Sequence, residues 1–208
     1  MAAWDANSEE LLRRVREGDE EAIQFLLQSY RHRLRQMIAL RLDERLAPRL
    51  DASDVVQETL AEAARKLPEY LESAPLPIYP WLRRIAAERL AKLHRRHLAA
   101  QKRSAAREQH FGVPLPDKSA NILADHLVAS GTSPSQRALR AEQLDRVRVA
   151  LAQLSENDRE VLVMRYLEQL SNQEIAAVME VTEAVVKTRH VRALARVRRL
   201  LTDLLDED

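Results

Sequence analysis

The chain has 208 residues, room for two small domains and a connector, and its 46% apolar fraction can fill packed cores despite 31% charged residues. It contains no cysteine, which excludes disulfides, thiolate metal sites and a thiol nucleophile. Net charge is only +1, yet Arg83 to Arg103 carries eight Lys or Arg against one acid, Glu88, and Lys187 to Arg199 carries six against none.

Two basic segments balanced by acidic ones elsewhere suit a protein that touches an anionic polymer in two places. Gly is scarce, with three in all, while Ala, Leu, Arg and Glu abound, so an all-α fold is expected. No apolar run approaches the ~20 residues that span a bilayer, and no membrane insertion is expected. The start, Met1 to Asp5, lacks the basic and apolar segments of a signal peptide, which points to a cytoplasmic protein.

Along the chain, Ile23, Leu26, Leu27, Tyr30, Leu34, Met37 and Ile38 form a stripe at three- and four-residue spacing, predicting one long amphipathic helix. Pro48 and residues 51–53 break the pattern. A second helix follows with Val56, Leu60, Ala63 and Leu67 on one face, and Pro68 is expected to stop it. Residues 73–80 hold Pro75, Pro77 and Pro80 around Ile78 and Tyr79, which predicts a constrained, non-helical loop. Pro80 suits the first turn of the next helix, which buries Leu82, Ile85, Ala86 and Leu93 and turns its basic residues outward.

After Gln101 periodicity dissolves, and glycines and prolines gather. Residues 101–136 therefore read as a flexible linker, with a short helix predicted over 121–129. Helical signal returns with Leu144, Val147, Leu151 and Leu154. Ser155 caps the next helix, through Val161, Leu162 and Tyr166. Ser171 to Glu174 is a capping box opening a helix with Ile175, Ala176 and Met179. Thr182 caps a last helix through Val186, Ala193, Leu194, Val197 and Leu201. The expected architecture is thus two small helical domains, 1–100 and 137–208, joined by the linker.

Ser171 and Thr182 lie eleven residues apart. That leaves a two-turn helix, a tight turn and a longer helix, the layout of a helix-turn-helix whose second helix enters the major groove. With Val186, His190, Ala193 and Val197 inward, the outer face presents Ala184, Thr188 and Arg192, flanked by Lys187 and Arg189. Short residues near the helix start, then Thr and Arg, are what base and phosphate contacts require. The turn often carries Gly because one residue takes positive φ; here Glu180 stands there, at a strain of about 1 kcal/mol. In the first domain, Asp54, Gln57 and Glu58 share one side of their helix, opposite Val56, Leu60, Ala63 and Leu67. Such an acidic-amide patch can dock a basic partner.

These motifs, in this order and spacing, resemble the extracytoplasmic-function (ECF) sigma factors of bacterial RNA polymerase. Asp54-Val-Val-Gln-Glu58-Thr is similar to the segment that docks on the polymerase's largest subunit. Trp81-Leu82-Arg-Arg-Ile85-Ala86 resembles the helix that reads the −10 element. Arg159 to Tyr166, Leu170-Ser171 and Glu174-Ile175-Ala176 resemble the start of the −35-reading domain, and Val186-Lys187-Thr188-Arg189 with Arg192-Ala193 its recognition helix. The resemblance runs from about Ser8 to Leu205, with only the linker unmatched.

It implies a protein that directs polymerase to promoters and assists melting, with core RNA polymerase and promoter DNA as partners. It implies polymerase docking through Asp54, Gln57 and Glu58, and −10 contacts at Ile78, Tyr79, Arg83, Arg84 and Arg95. The −10 contacts include a pocket for a flipped base, placed in the loop Ser73 to Pro80. It implies −35 contacts at Ser171, Lys187, Thr188, Arg189 and Arg192. Glu88 and Lys92 stand where the family often has Asn and Asp. The chain holds no evident sensor, so control is expected from outside, by an anti-sigma factor, by phosphorylation or by expression level. The expected location is the cytoplasm, on the nucleoid when bound to polymerase.

No nucleophile–base pair, metal cluster or phosphate-cradling loop is visible, so no enzymatic activity, cofactor or metal is expected. His94 and His97 lie one turn apart, but Arg95 and Arg96 between them would repel a cation and favour a phosphate-facing role. The alternative reading is a stand-alone helix-turn-helix regulator, which would bind an operator without polymerase and has no use for the acidic patch.

Overall fold

The computed structural model describes residues 4–43, 46, 50–73, 76–98, 121–125, 127 and 137–206. The chain divides into two compact units, Met1–Val113 and Pro114–Asp208, and the described residues are helical with no strand.

The N-terminal unit holds α1 (Trp4–Arg16), α2 (Glu20–Ser29), α3 (Arg31–Arg41), α4 (Ala52–Ser73) and α5 (Ile78–Leu98). Sequence periodicity missed α1, whose Leu11 and Val15 are buried. Gly18, at φ +86, makes the turn after α1, and Asp19 caps α2 by accepting from the Ala22 N–H at 3.0 Å. This bond, with Arg14 beside it, holds the Asp19 carboxyl below its ordinary range.

The single long helix expected over Ile23 to Ile38 is two helices meeting at Tyr30. The Tyr30 N–H reaches back to the Leu27 carbonyl, a tightened turn that ends α2 and sets the Tyr30 ring in the core. There it stacks on Tyr79 at 5.9 Å.

Pro68 does not stop α4; it lies inside the helix, which runs on to Ser73. A mid-helix proline forfeits one hydrogen bond and crowds the turn before it, at roughly 3 kcal/mol. Contacts of the following turn offset that cost. Tyr70 is buried, its hydroxyl donates to the Leu76 carbonyl at 2.9 Å, and its ring stacks on Trp81 at 4.4 Å. The non-helical loop expected over 73–80 is correspondingly shorter. Helix α5 already begins at Ile78, and Pro80 sits in its first turn. Helix α4 packs on α5 and α3, burying Val56, Leu60, Ala63 and Leu67 against Leu82, Ile85, Ala86 and Leu90.

The C-terminal unit holds α6 (Arg137–Ala152), α7 (Glu156–Tyr166), α8 (Asn172–Met179) and α9 (Glu183–Asp206). Most of the expected linker, 101–136, lies outside the described residues. Within it, residues 121–125 are helical, and Leu123 and Ala124 are fully buried in the C-terminal core with Leu151, Leu162, Ala193 and Val197. This piece belongs to the C-terminal unit rather than to a structureless connector. Two buried apolar residues in a short helix outweigh the surrounding Gly and Pro that marked the stretch as irregular.

Candidate nucleic-acid interface

The C-terminal site is built on α8 and α9. Ser171 opens α8 with a reciprocal cap: its hydroxyl accepts from the Glu174 N–H at 3.1 Å, and the Glu174 carboxylate accepts from the Ser171 N–H at 2.8 Å. The pair fixes the entry to α8, so Ser171 is exposed but already engaged with its own helix. Glu180 ends α8 at φ 52, ψ 43, the left-handed conformation expected of the turn. The N–H groups of Glu180 and Val181 both donate to the Ala176 carbonyl. Thr182 then starts α9, its hydroxyl accepting from the Val185 N–H at 3.4 Å.

Helix α9 buries Val186, Ala193 and Val197 and exposes Ala184, Lys187, Thr188 and Arg192, with Arg189 half-buried. The inward and outward faces fall where the sequence placed them. Thr188 folds its hydroxyl onto the Ala184 carbonyl at 2.9 Å. Tyr166 and Asp158 of α7 make polar contacts to α9. The Tyr166 hydroxyl lies 3.1 Å from His190 Nε2. Burial, with Arg165 nearby, lowers the His190 pKa and so favours its neutral ring. Asp158, nearly buried, accepts from the Arg192 guanidinium at 3.2 Å. Arg159 turns away from α9 and donates to the Leu151 and Ala152 carbonyls, closing the end of α6.

In the N-terminal unit, Asp54, Gln57 and Glu58 are all exposed on α4. Glu58 is ion-paired with Arg89 of α5. Arg89 also meets Glu62 at 3.3 Å, and Glu62 meets Lys66 at 2.9 Å. The Lys66 contact, outweighing burial and helped by Lys92 and Arg89, keeps the Glu62 carboxyl below its usual range, and the same contact raises the Lys66 pKa against burial. Sequence reasoning missed this chain. The spacing of Glu58, Glu62 and Lys66 along one helix face could have revealed its α4 half, whereas Arg89 arrives from another helix.

Of the five residues expected at −10 DNA, the structure leaves Arg84 and Arg95 exposed and buries three. Ile78, Tyr79 and Arg83 are 6%, 2% and 3% exposed. The first turn of α5, expected as a constrained, non-helical loop, is packed inward, with Tyr79 stacked on Tyr30 and the Arg33 guanidinium 3.7 Å over its ring. One step further on, Trp81 is only half-buried. A cleft of about 250 Å³ is lined by Tyr70, Ser73, Leu76, Trp81, Arg84 and Glu88 among others. Neither Trp81 nor Tyr70 is among the expected −10 residues; the clustering of both rings around Pro75 to Pro80 is the sequence signal that points to them. Burial pushes the Tyr70 pKa up to about 12.

Among the described residues no helix is long and apolar enough to cross a membrane. Comparison with known proteins bears on the whole chain. Residues 144–197 match the family described as Sigma-70, region 4. The RNA polymerase sigma-H factor of Pseudomonas aeruginosa is 30% identical over 199 residues, 96% of each chain. The ECF RNA polymerase sigma-E factor of Escherichia coli K12 is 30% identical over 188 residues, 88% of each. Among solved structures, CnrH in complex with the cytosolic domain of CnrY shares the fold, with a TM-score of 0.52 at 24% identity over 97% of this chain and 99% of that one. Matches that extend over both units, rather than the helix-turn-helix alone, disfavour a stand-alone regulator. The chain belongs to the ECF sigma factors of bacterial RNA polymerase.

Proposed function

We propose that this sigma factor, whose partners are core RNA polymerase and promoter DNA, divides its work between its two units. Residues 1–100 form the polymerase-docking and −10-binding domain, residues 137–208 the −35-binding domain, and the span between them the connector, apart from the helical residues 121–125. Asp54, Gln57 and Glu58 dock the polymerase. Lys187, Thr188, Arg189 and Arg192 meet the −35 duplex, with Ser171 at the lip of the same groove. Arg84 and Arg95 hold the −10 backbone, and the cleft beside the stacked Tyr70–Trp81 pair, lined by Ser73, Leu76 and Glu88, receives an unstacked base.

The observation that carries this reading is the split character of α9: Val186, Ala193 and Val197 in the core, Lys187, Thr188 and Arg192 exposed opposite them. The role is non-enzymatic, since the polymerase makes RNA while the sigma factor selects the promoter and helps to open it; no cofactor is needed. The protein works in the cytoplasm, on the nucleoid when bound to polymerase. An anti-sigma factor is a further proposed partner; the similarly folded CnrH is itself held in complex with the cytosolic domain of CnrY.

The test is reconstitution with bacterial core RNA polymerase. Co-elution and transcription from selected promoters are expected. Charge reversal at Arg189 and Arg192 should abolish promoter selection while co-elution persists. Binding to duplex DNA without any association with polymerase would overturn the assignment.

A further inference from the structure

Arg192 projects from the outer face of α9 with its side chain 64% exposed, whereas the carboxylate it meets, that of Asp158, is only 9% exposed. The asymmetry matters. Asp158 sits in the first turn of α7, its N–H donating to the Ser155 hydroxyl at 3.2 Å, so its position is set by the helix start. Arg192 is tethered by one amino group, Nη2, at 3.2 Å from Asp158 Oδ1. A guanidinium carries five N–H donors, so most remain available for a base edge. An untethered arginine samples many rotamers and loses that freedom on binding, whereas one held by a fixed carboxylate has lost it already.

We propose that Asp158 is a positioning residue for −35 recognition, holding the Arg192 guanidinium so that its remaining donors meet one base pair. This rests on the reading of Arg192 as a −35 contact. The Asp158 carboxylate is itself negative and adds repulsion toward phosphate, so it opposes general DNA affinity while favouring sequence discrimination. A residue that served only to stabilise α7 would change neither in that opposed manner.

The experiment selects −35 sequences from a randomised library with holoenzymes carrying the wild-type chain, Arg192→Ala or Asp158→Asn, and measures affinity for unselected duplex alongside. A bidentate arginine contact discriminates roughly 5- to 150-fold between bases. Arg192→Ala should flatten the preference at one position. Asp158→Asn, which keeps shape and removes charge, should lower the preference at that same position about 3- to 10-fold, with affinity for unselected duplex unchanged or raised. Asp158→Ser, short and compatible with a helix start, should reproduce this if the Asn variant does not melt like the wild type. Two results overturn the proposal and are distinguishable. If Arg192→Ala flattens a position that both Asp158 variants leave intact, the positioning role fails while the Arg192 contact stands. If Arg192→Ala flattens none, the contact itself fails and the positioning role with it.

Discussion

Glu180 supplies the sharpest test of how local geometry sets stability here. It stands at φ 52, ψ 43 in the turn between α8 and α9, where an L-residue's Cβ crowds the following carbonyl at a cost of about 1–2 kcal/mol. Glycine removes that cost but adds unfolded-state entropy worth roughly 0.5–1 kcal/mol. A carboxylate at a helix C-terminus also opposes the helix dipole by about 0.3–1 kcal/mol when exposed, as Glu180 is. The net expectation for Glu180→Gly is a gain of about 1 kcal/mol, or roughly 4–8 °C in the melting of a unit the size of Pro114–Asp208. Glu180→Ala separates the two causes, because it removes the charge and keeps the Cβ. Scanning calorimetry of the full chain should show the C-terminal transition rising most for Gly and less for Ala, which gains only the charge term of about 0.3–1 kcal/mol. A Gly variant no more stable than the Ala variant would refute the strain argument, and equal gains in both would assign the effect to charge.

Other outcomes follow from the same structure. Asp54→Ala with Glu58→Ala should weaken binding to core polymerase at least about tenfold without lowering the melting temperature of the N-terminal unit, since exposed pairs such as Glu58–Arg89 contribute about 0–1 kcal/mol; unchanged affinity would remove the docking role. Leu123→Ala should destabilise the C-terminal unit by about 2–5 kcal/mol if residues 121–125 belong to its core, and a change under 0.5 kcal/mol, read from calorimetry, would return the segment to the linker (~0.5 being the usual surface value). For His190 the folded pKa lies below the ordinary 6.5, so the unfolded chain binds the extra proton first. Stability from neutral His190 is complete above pH 6.5 and declines as pH falls below it. Urea midpoints at pH 7.5 and 5.5 should therefore converge in His190→Gln relative to the wild type.

Legibility from sequence followed the physical range of each interaction. The caps at Ser155 and Ser171 and the αL position at Glu180 are set within three or four residues, and each appears where its local pattern placed it. The inner faces of α4 and α9 were legible because helical period and burial agree. What local pattern could not supply was the outcome of competition with distant contacts. Pro68 reads as a stop until Tyr70 stacks on Trp81 and bonds to Leu76. Ile78 and Tyr79 read as loop until the packing of Tyr30 draws them inward. Leu123 reads as linker until a core 28 residues further along the chain, at Leu151, closes over it. In the site, the same division holds: outward residues of one helix were found, while their partners from other helices, Arg89 and Asp158, were not.

Those two partners bear on function more than on stability. In each unit a helix lends one face to the core and, in the proposed roles, the other to a macromolecule, and on that outer face one residue proposed as a contact is tied from the neighbouring helix: Glu58 by Arg89, Arg192 by Asp158. With one member of each pair more than half exposed, solvent screening leaves such a bond worth no more than about 1 kcal/mol to folding. The same bond removes rotamer freedom from a long side chain, a cost of order 0.5–1.5 kcal/mol that binding would otherwise bear. The two magnitudes are comparable, but they are felt in different equilibria: thermal unfolding registers the first, and partner selection the second. A substitution at Arg89 or Asp158 that scarcely moves a melting curve should still broaden what the surface accepts.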